Sequence, residues 1–152
     1  MPATNDRPPI LLVNRCFVQD REGRVLLVKR TTNDRHNPGL WEAPGGKLEQ
    51  GEDVLRALET EVLQETGLLV EPTERFVYAD SSVIAVGKYT GFTYLVLFCL
   101  GRIVGGNFAL SHEHEDFAWV TYDEALTYEL APETRKAACL MEKHLKPILQ
   151  VA

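Results

Sequence analysis

Gly46-Lys-Leu-Glu-Gln-Gly-Glu52, then Asp53-Val-Leu-Arg-Ala-Leu-Glu59, then Thr60-Glu-Val-Leu-Gln-Glu-Thr-Gly-Leu68, reads as a loop running into a helix that ends sharply. From Glu52 or Asp53 to Thr66 there is no helix breaker. Apolar residues recur at helical spacing, and Gly67 stands where a terminating glycine belongs. On a wheel turning about 100° per residue, Val54, Leu55, Leu58 and Val62 share one arc, which faces the core. Glu65 falls inside that arc and Glu61 at its edge, while Asp53, Arg56, Glu59 and Thr60 take the solvent side. Carboxylates one turn apart repel each other, and burying them unpaired is costly. No basic side chain on the arc offsets that cost. A divalent cation would, because hard ions such as Mg²⁺ or Mn²⁺ take carboxylate oxygens. The other reading is a helix rotated so that both glutamates reach water.

Upstream of this segment, Trp41 to Ala43 is a short extended piece stopped by Pro44-Gly45-Gly46. Ile10 to Val18 and Arg24 to Lys29 read as two strands of a hairpin joined by Gln19 to Gly23, and Thr31 to Gly39 is a polar loop. Downstream, Leu68 to Val70, Phe76 to Ala85, Phe92 to Arg102 and Phe117 to Val120 read as strands, with Ile103 to Glu115 a long loop. Thr121-Tyr122-Asp123-Glu124 fits a capping box that opens a short helix. Pro132 to Lys146 is a final amphipathic helix with Lys143, His144 and Lys146 at its end. Strands and helices alternate irregularly, so the fold class is α/β with a mixed sheet rather than a doubly wound one. Neither GxGxxG nor GxxxxGK[ST] occurs, which removes the two commonest nucleotide motifs.

The chain has 152 residues, 45% hydrophobic and 25% charged, which fits one ordinary globular domain. Residues 1–9 read as a flexible tail and 10–152 as the single domain. A net charge of −6 argues against a nucleic acid polymer as partner. It leaves room for a small phosphorylated ligand, since a bound cation can supply the missing positive charge. Cys16, Cys99 and Cys139 lack CxxC spacing and read as reduced, buried thiols. The N-terminus has no apolar core for a signal peptide. The longest clean apolar run, Tyr94 to Leu100, is too short for a membrane span, so a cytoplasmic location is expected.

The segment 46–68 resembles the Nudix box: Gly, five residues, Glu, seven residues, then Arg-Glu-aliphatic-any-Glu-Glu-any-Gly-aliphatic. Gly46, Glu52, Glu61, Val62, Glu65, Gly67 and Leu68 match at every spacing, and the lead-in Trp41 to Lys47 resembles that of MutT-like members. The resemblance implies a Nudix α/β/α sandwich, its mixed β-sheet lying between the box helix and the C-terminal helix. It also implies metal-dependent hydrolysis of a diphosphate bond in a nucleoside triphosphate or related nucleotide. Carried over by position, Mg²⁺ or Mn²⁺ is held by Glu61 and Glu65, with Gln64 and the Gly46 carbonyl as further oxygens. Glu52 and Gly67 are structural, Glu52 through hydrogen bonds or an ion pair with Arg56. Two positions depart from the pattern, since Thr60 replaces the Arg and Gln64 replaces the first Glu of the pair. Gln64 offers a neutral oxygen where a carboxylate belongs, which implies weaker binding of a second or third metal and slower turnover.

Outside the box, Ser111-His112-Glu113-His114-Glu115-Asp116 resembles a stretch of some dinucleoside-polyphosphate and nucleotide hydrolases of the family. Glu115 is the candidate further catalytic glutamate and Glu113 the other choice, because alternate residues of an extended chain share a face. His112 and His114 lack the third soft ligand a zinc site needs. Arg30 resembles a phosphate-contacting arginine, and Lys47 is a similar candidate. Trp41, Phe92 and Tyr94 are candidates to stack on a base, with core packing the competing role. ADP-ribose, nucleotide sugars and dinucleoside polyphosphates are alternative substrates, and a nucleotide-binding sensor without turnover is the alternative from another class. A homodimer remains compatible with the sequence.

Overall fold

The segment Val54–Thr66 is helical (α1), and both of its ends are specified by side-chain chemistry. The Asp53 carboxylate caps it by accepting from the Arg56 N–H at 3.0 Å, and Gly67 closes it in the left-handed region at φ 73°. A Cβ on Gly67 would run into the carbonyl oxygen of Asn107, so only glycine fits there. Leu58 and Val62 are fully buried, each stabilising by about 2 kcal/mol. Glu65 lies on the same buried face, as the helical spacing predicts.

The computed structural model describes residues 7–151; positions 1–6 of the expected tail lie outside the described residues. The strands are β1 (Ile10–Gln19), β2 (Val25–Arg30), β3 (Trp41–Glu42), β4 (Gly45–Lys47), β5 (Leu68–Val83), β6 (Thr93–Gly106) and β7 (His114–Val120). Among the described residues two further helices follow, α2 (Tyr122–Ala125) and α3 (Pro132–Val151). The strands form one mixed sheet ordered β3-β2-β1-β6-β5, with β4 on β1 and β7 on β2. β1 is central. It runs parallel to β6 from Ile10 opposite Thr93 to Gln19 opposite Arg102, and antiparallel to β4 with Asn14 opposite Gly46.

Side-chain alternation along β1 splits the core into two layers. Phe17 points to one face, where it packs on Phe98 at 5.3 Å and on Tyr122, with Ala137, Ala138 and Met141 of α3 in the same cluster. Cys16 and Val18 point to the other face, against Leu58 and Val62 of α1. The sheet is therefore held between α1 and α3, the sandwich expected. Thr121 caps α2 by accepting from the Glu124 N–H. Cys16 and Cys99 sit opposite each other in the parallel register, buried and reduced. Their mutual hydrogen bond and burial push the Cys16 thiol well above its usual range.

Four expectations need correction. Gly45–Lys47 does not end an extended piece but forms β4, because two glycines let it press against β1 and α1. Leu68 to Val83 is one strand: Pro72 is accommodated at a bulge, where a missing N–H disrupts no ladder. Residues 103–106 belong to β6 and 114–115 to β7, which shortens the expected long loop. Helix α3 continues past Pro147 to Val151, so Lys143, His144 and Lys146 do not occupy its last turn.

Candidate active site

Strand β4 lies between β1 and α1, and its glycines set how closely the helix approaches. The Gly45 N–H donates to Glu65 Oε2 at 3.1 Å. Gly46 lies against Glu61, where a Cβ would come within 2.7 Å of that carboxylate. Glu65 is 5% exposed and Glu61 half-buried. Burial pushes Glu65 up to about 8, opposed by Arg15 and the Gly45 N–H and reinforced by Glu42 and Glu113. Burial also raises Glu61, with Glu113, Glu52 and Glu49 adding like charge. Gly46→Ala is expected to displace Glu61 and lower kcat about 10²-fold with little change in thermal stability. Paired kinetic and unfolding measurements check this, and an unchanged kcat would contradict the placement of Glu61.

The chain after β6 hangs on the C-terminal end of α1. Ser111 N–H donates to the Glu65 carbonyl at 2.9 Å and Ala109 N–H to the Thr66 carbonyl at 2.8 Å. A turn then closes from the Ser111 carbonyl to the His114 N–H. This places the exposed Glu113 and the buried His114 beside Glu65, with one donor atom from each of the three within 4.8 Å of the others. Glu113, not Glu115, lines the cleft; Glu115 pairs with Lys29 at 3.3 Å. The alternation expected of an extended chain fails because residue 113 lies in the turn, before β7 begins.

Beneath this cluster is a buried group of charges. Glu42 faces Arg15 Nη2 at 3.2 Å, Arg30 Nη1 at 3.0 Å and His114 Nε2 at 3.2 Å. Burial alone would raise the Glu42 carboxyl. Arg15, the His114 bond and Arg30 outweigh burial and hold it below its usual range. Arg15 also donates to the Ala43 carbonyl at 2.9 Å, and Arg30 to Asp34 at 2.7 Å.

Above the cluster opens a cleft of about 580 Å³. Glu61, Glu65, Glu113 and Glu133 supply its negative lining; Arg15, Arg30, Arg35, Lys47 and Lys88 supply the opposite charge, with the His36 imidazole among them. Lys47 Nζ lies 5.0 Å from the centre of the Tyr89 ring. Among the described residues Arg35, Lys47 and Lys88 have no acidic partner, which leaves them available to an anion. A shallower hollow of about 430 Å³ beside Glu59, Thr60 and Leu69 contains none of these groups.

Of the other sequence candidates, Tyr94 lines the cleft and donates to Glu133 at 3.3 Å. Trp41 does not: its ring packs edge-on against Tyr128 at 4.9 Å, within the core layer. Phe92 packs against Tyr89. Gln64 and Thr60 are exposed and off the cleft wall; the Thr60 hydroxyl donates to the Arg56 carbonyl. Glu52 accepts from the Glu49 N–H at 2.6 Å rather than pairing with Arg56, so it braces the loop before α1. Sequence reasoning missed Arg35, His36, Lys88 and Tyr89. The Gly87 and Gly91 turn signals around the last two mark only an exposed loop.

The donor set suits a divalent cation. Glu65, Glu113 and His114 offer converging donor atoms, Glu61 lines the same cleft, and burial displaces the Glu65 carboxyl upward despite the nearby Arg15. The NUDIX domain profile matches residues 11–141. The chain belongs to the Nudix family. A nucleoside triphosphatase NudI from Enterobacter sp. (strain 638) is 31% identical over 127 residues, covering 79% of this chain and 89% of that protein. Among solved structures, a MutT protein from Methanosarcina mazei Go1 superposes with a TM-score of 0.77 at 23% identity, covering 92% of this chain and 98% of that one. A MutT NUDIX hydrolase from Burkholderia pseudomallei gives 0.71 at 26% identity, covering 85% and 95%. As a Nudix protein, the chain is a hydrolase of the MutT-like type.

Proposed function

We propose that this Nudix hydrolase converts a nucleoside triphosphate to the monophosphate and pyrophosphate, using Mg²⁺ or Mn²⁺. The observation that carries this reading is the polarity of the cleft: carboxylates converge at its base while unpaired cations and a tyrosine ring line the rest. An acidic protein that gathers free cations in one cleft is built to hold a polyanion there. The name of the NudI relative, a nucleoside triphosphatase, supports the choice of substrate.

Glu61, Glu65 and Glu113 would hold the cation. When bound, it neutralises phosphate oxygens and makes a water easier to deprotonate. The chain's own groups do the rest. Arg35, Lys47 and Lys88 hold the polyphosphate, Tyr89 offers a flat apolar face to the base, and the Gly45 N–H fixes the Glu65 carboxylate. Arg35→Ala and Lys47→Ala are each expected to raise KM about tenfold with a smaller effect on kcat, since a hydrogen bond to a charged group is worth about 1.5–3 kcal/mol. Steady-state kinetics decide; an unchanged KM would place the phosphates elsewhere.

The test of the reaction is a panel of nucleoside triphosphates, ADP-ribose, nucleotide sugars and dinucleoside polyphosphates with Mn²⁺, followed for monophosphate and pyrophosphate. Pyrophosphate release from triphosphates supports the proposal. Turnover confined to the other three classes, or none at all, rejects it.

A further inference from the structure

Among the described residues, His114 is the one buried imidazole beside the carboxylate cluster, with a side chain only 2% exposed. Its Nε2 sits 3.2 Å from Glu42 Oε1. Glu42 lies between the Arg15 and Arg30 guanidiniums, so it is a carboxylate and accepts only. The contact therefore requires Nε2 to carry the proton. In the neutral ring the lone pair is then at Nδ1. Nδ1 is buried and has no hydrogen-bond partner, an uncommon state for a buried polar atom. A His114 ring nitrogen and carboxylate oxygens of Glu65 and Glu113 lie within 4.8 Å of one another. Donors to a single ion at about 2.1–2.2 Å lie at most about 4.4 Å apart, so small side-chain rotations close the set.

The geometry points to His114 Nδ1 as a nitrogen ligand of the catalytic cation, oriented by its Nε2–H bond to Glu42. A carboxylate behind an imidazole fixes the tautomer and strengthens the nitrogen as a donor. This places the Glu42 charge group directly behind the metal centre and gives it a role in positioning. It also makes the centre a mixed nitrogen and oxygen site where Gln64, exposed and neutral, contributes nothing. Such a site favours Mn²⁺ over Mg²⁺, because imidazole suits transition metals and Mg²⁺ prefers oxygen. The inference rests on the proposed cation-dependent reading.

The test is Mn²⁺ binding by the full-length chain without nucleotide, read by electron spin echo modulation and titration calorimetry. A ¹⁴N coupling to Mn²⁺ is expected, changing to the ¹⁵N pattern when histidine alone is labelled. It persists in His36→Gln, which removes the histidine that lines the cleft, and disappears in His114→Gln, which keeps a donor toward Glu42. His114→Gln also weakens Mn²⁺ binding about 10- to 100-fold while changing Mg²⁺ binding less than about threefold. Bound Mn²⁺ with no histidine nitrogen coupling overturns the inference and leaves the proposed function standing. A coupling lost in His36→Gln instead assigns the ligand wrongly and overturns it as well. No Mn²⁺ binding overturns both. The labelling arm uses the unsubstituted protein, so it decides even if His114→Gln does not fold.

Discussion

Glu65→Gln is expected to lower kcat on the order of 10³-fold while making the metal-free protein more stable at pH 8.5 than the unsubstituted chain. The loss follows from removing the most buried carboxylate of the cation site. The gain follows from its titration. Glu65 moves from an ordinary 4.5 to about 8 in the folded chain, driven by burial and by Glu42 and Glu113 against Arg15 and the Gly45 N–H. Between those values the folded state holds a proton that the unfolded state releases, so metal-free stability falls as pH rises from about 4.5 to about 8, and is flat above. Glutamine never ionises, and its carbonyl oxygen still accepts from Gly45. Each pH step of one across that window is worth about 1.4 kcal/mol, so the variant gains on the order of a few kcal/mol at high pH and nothing at about pH 4. Thermal unfolding in chelator at pH 5 and 8.5 measures this. Equal pH dependence in the two proteins would show that Glu65 is not the displaced group. Added Mn²⁺ should stabilise the unsubstituted protein more at pH 8.5 than at pH 5, because protons compete for the same oxygens.

The second large effect is at Glu42. Glu42→Ala leaves the Arg15 and Arg30 guanidiniums without their shared carboxylate, and Arg15 is only 7% exposed. Removing one partner of a buried ion pair costs about 3–5 kcal/mol, which lowers Tm by about 10 °C in a chain of this length. His114 loses the acceptor that orients it, so activity falls further than the stability loss alone accounts for. Urea unfolding and kcat measured below the new transition separate the two. A loss under about 1 kcal/mol would mean the guanidiniums are solvated, not buried.

The box helix was legible because its information is local. Asp53 and Gly67 mark its ends, and the wheel turns Glu65 inward beside Leu58 and Val62. Glu61 and Glu65 could be named for the same reason. Strand β4 was not legible, because Pro44-Gly45-Gly46 has the composition of a turn. Those glycines belong to a strand only because of what lies opposite them: Arg15 and Asn14 for Gly45, Glu61 for Gly46. Glu113 and Glu115 could not be separated without the turn that ends at His114. The Glu42 group is invisible in any window of sequence, since its members come from β1, β2, β3 and β7 and meet only when the sheet forms.

The parallel ladder between β1 and β6 joins residues roughly eighty positions apart. During synthesis the first strand emerges long before its main partner. The backbone donors and acceptors on its β6 side stay unpaired until most of the chain is available, although β2 and β4 can pair with its other side earlier. Closing such a pairing means ordering a long intervening loop first, which places this fold among the slower ones. The box helix can form early from its own local contacts, but Glu65 meets Glu113 and His114 only after the later strands dock. Catalytic competence is thus among the last properties a newly made molecule acquires.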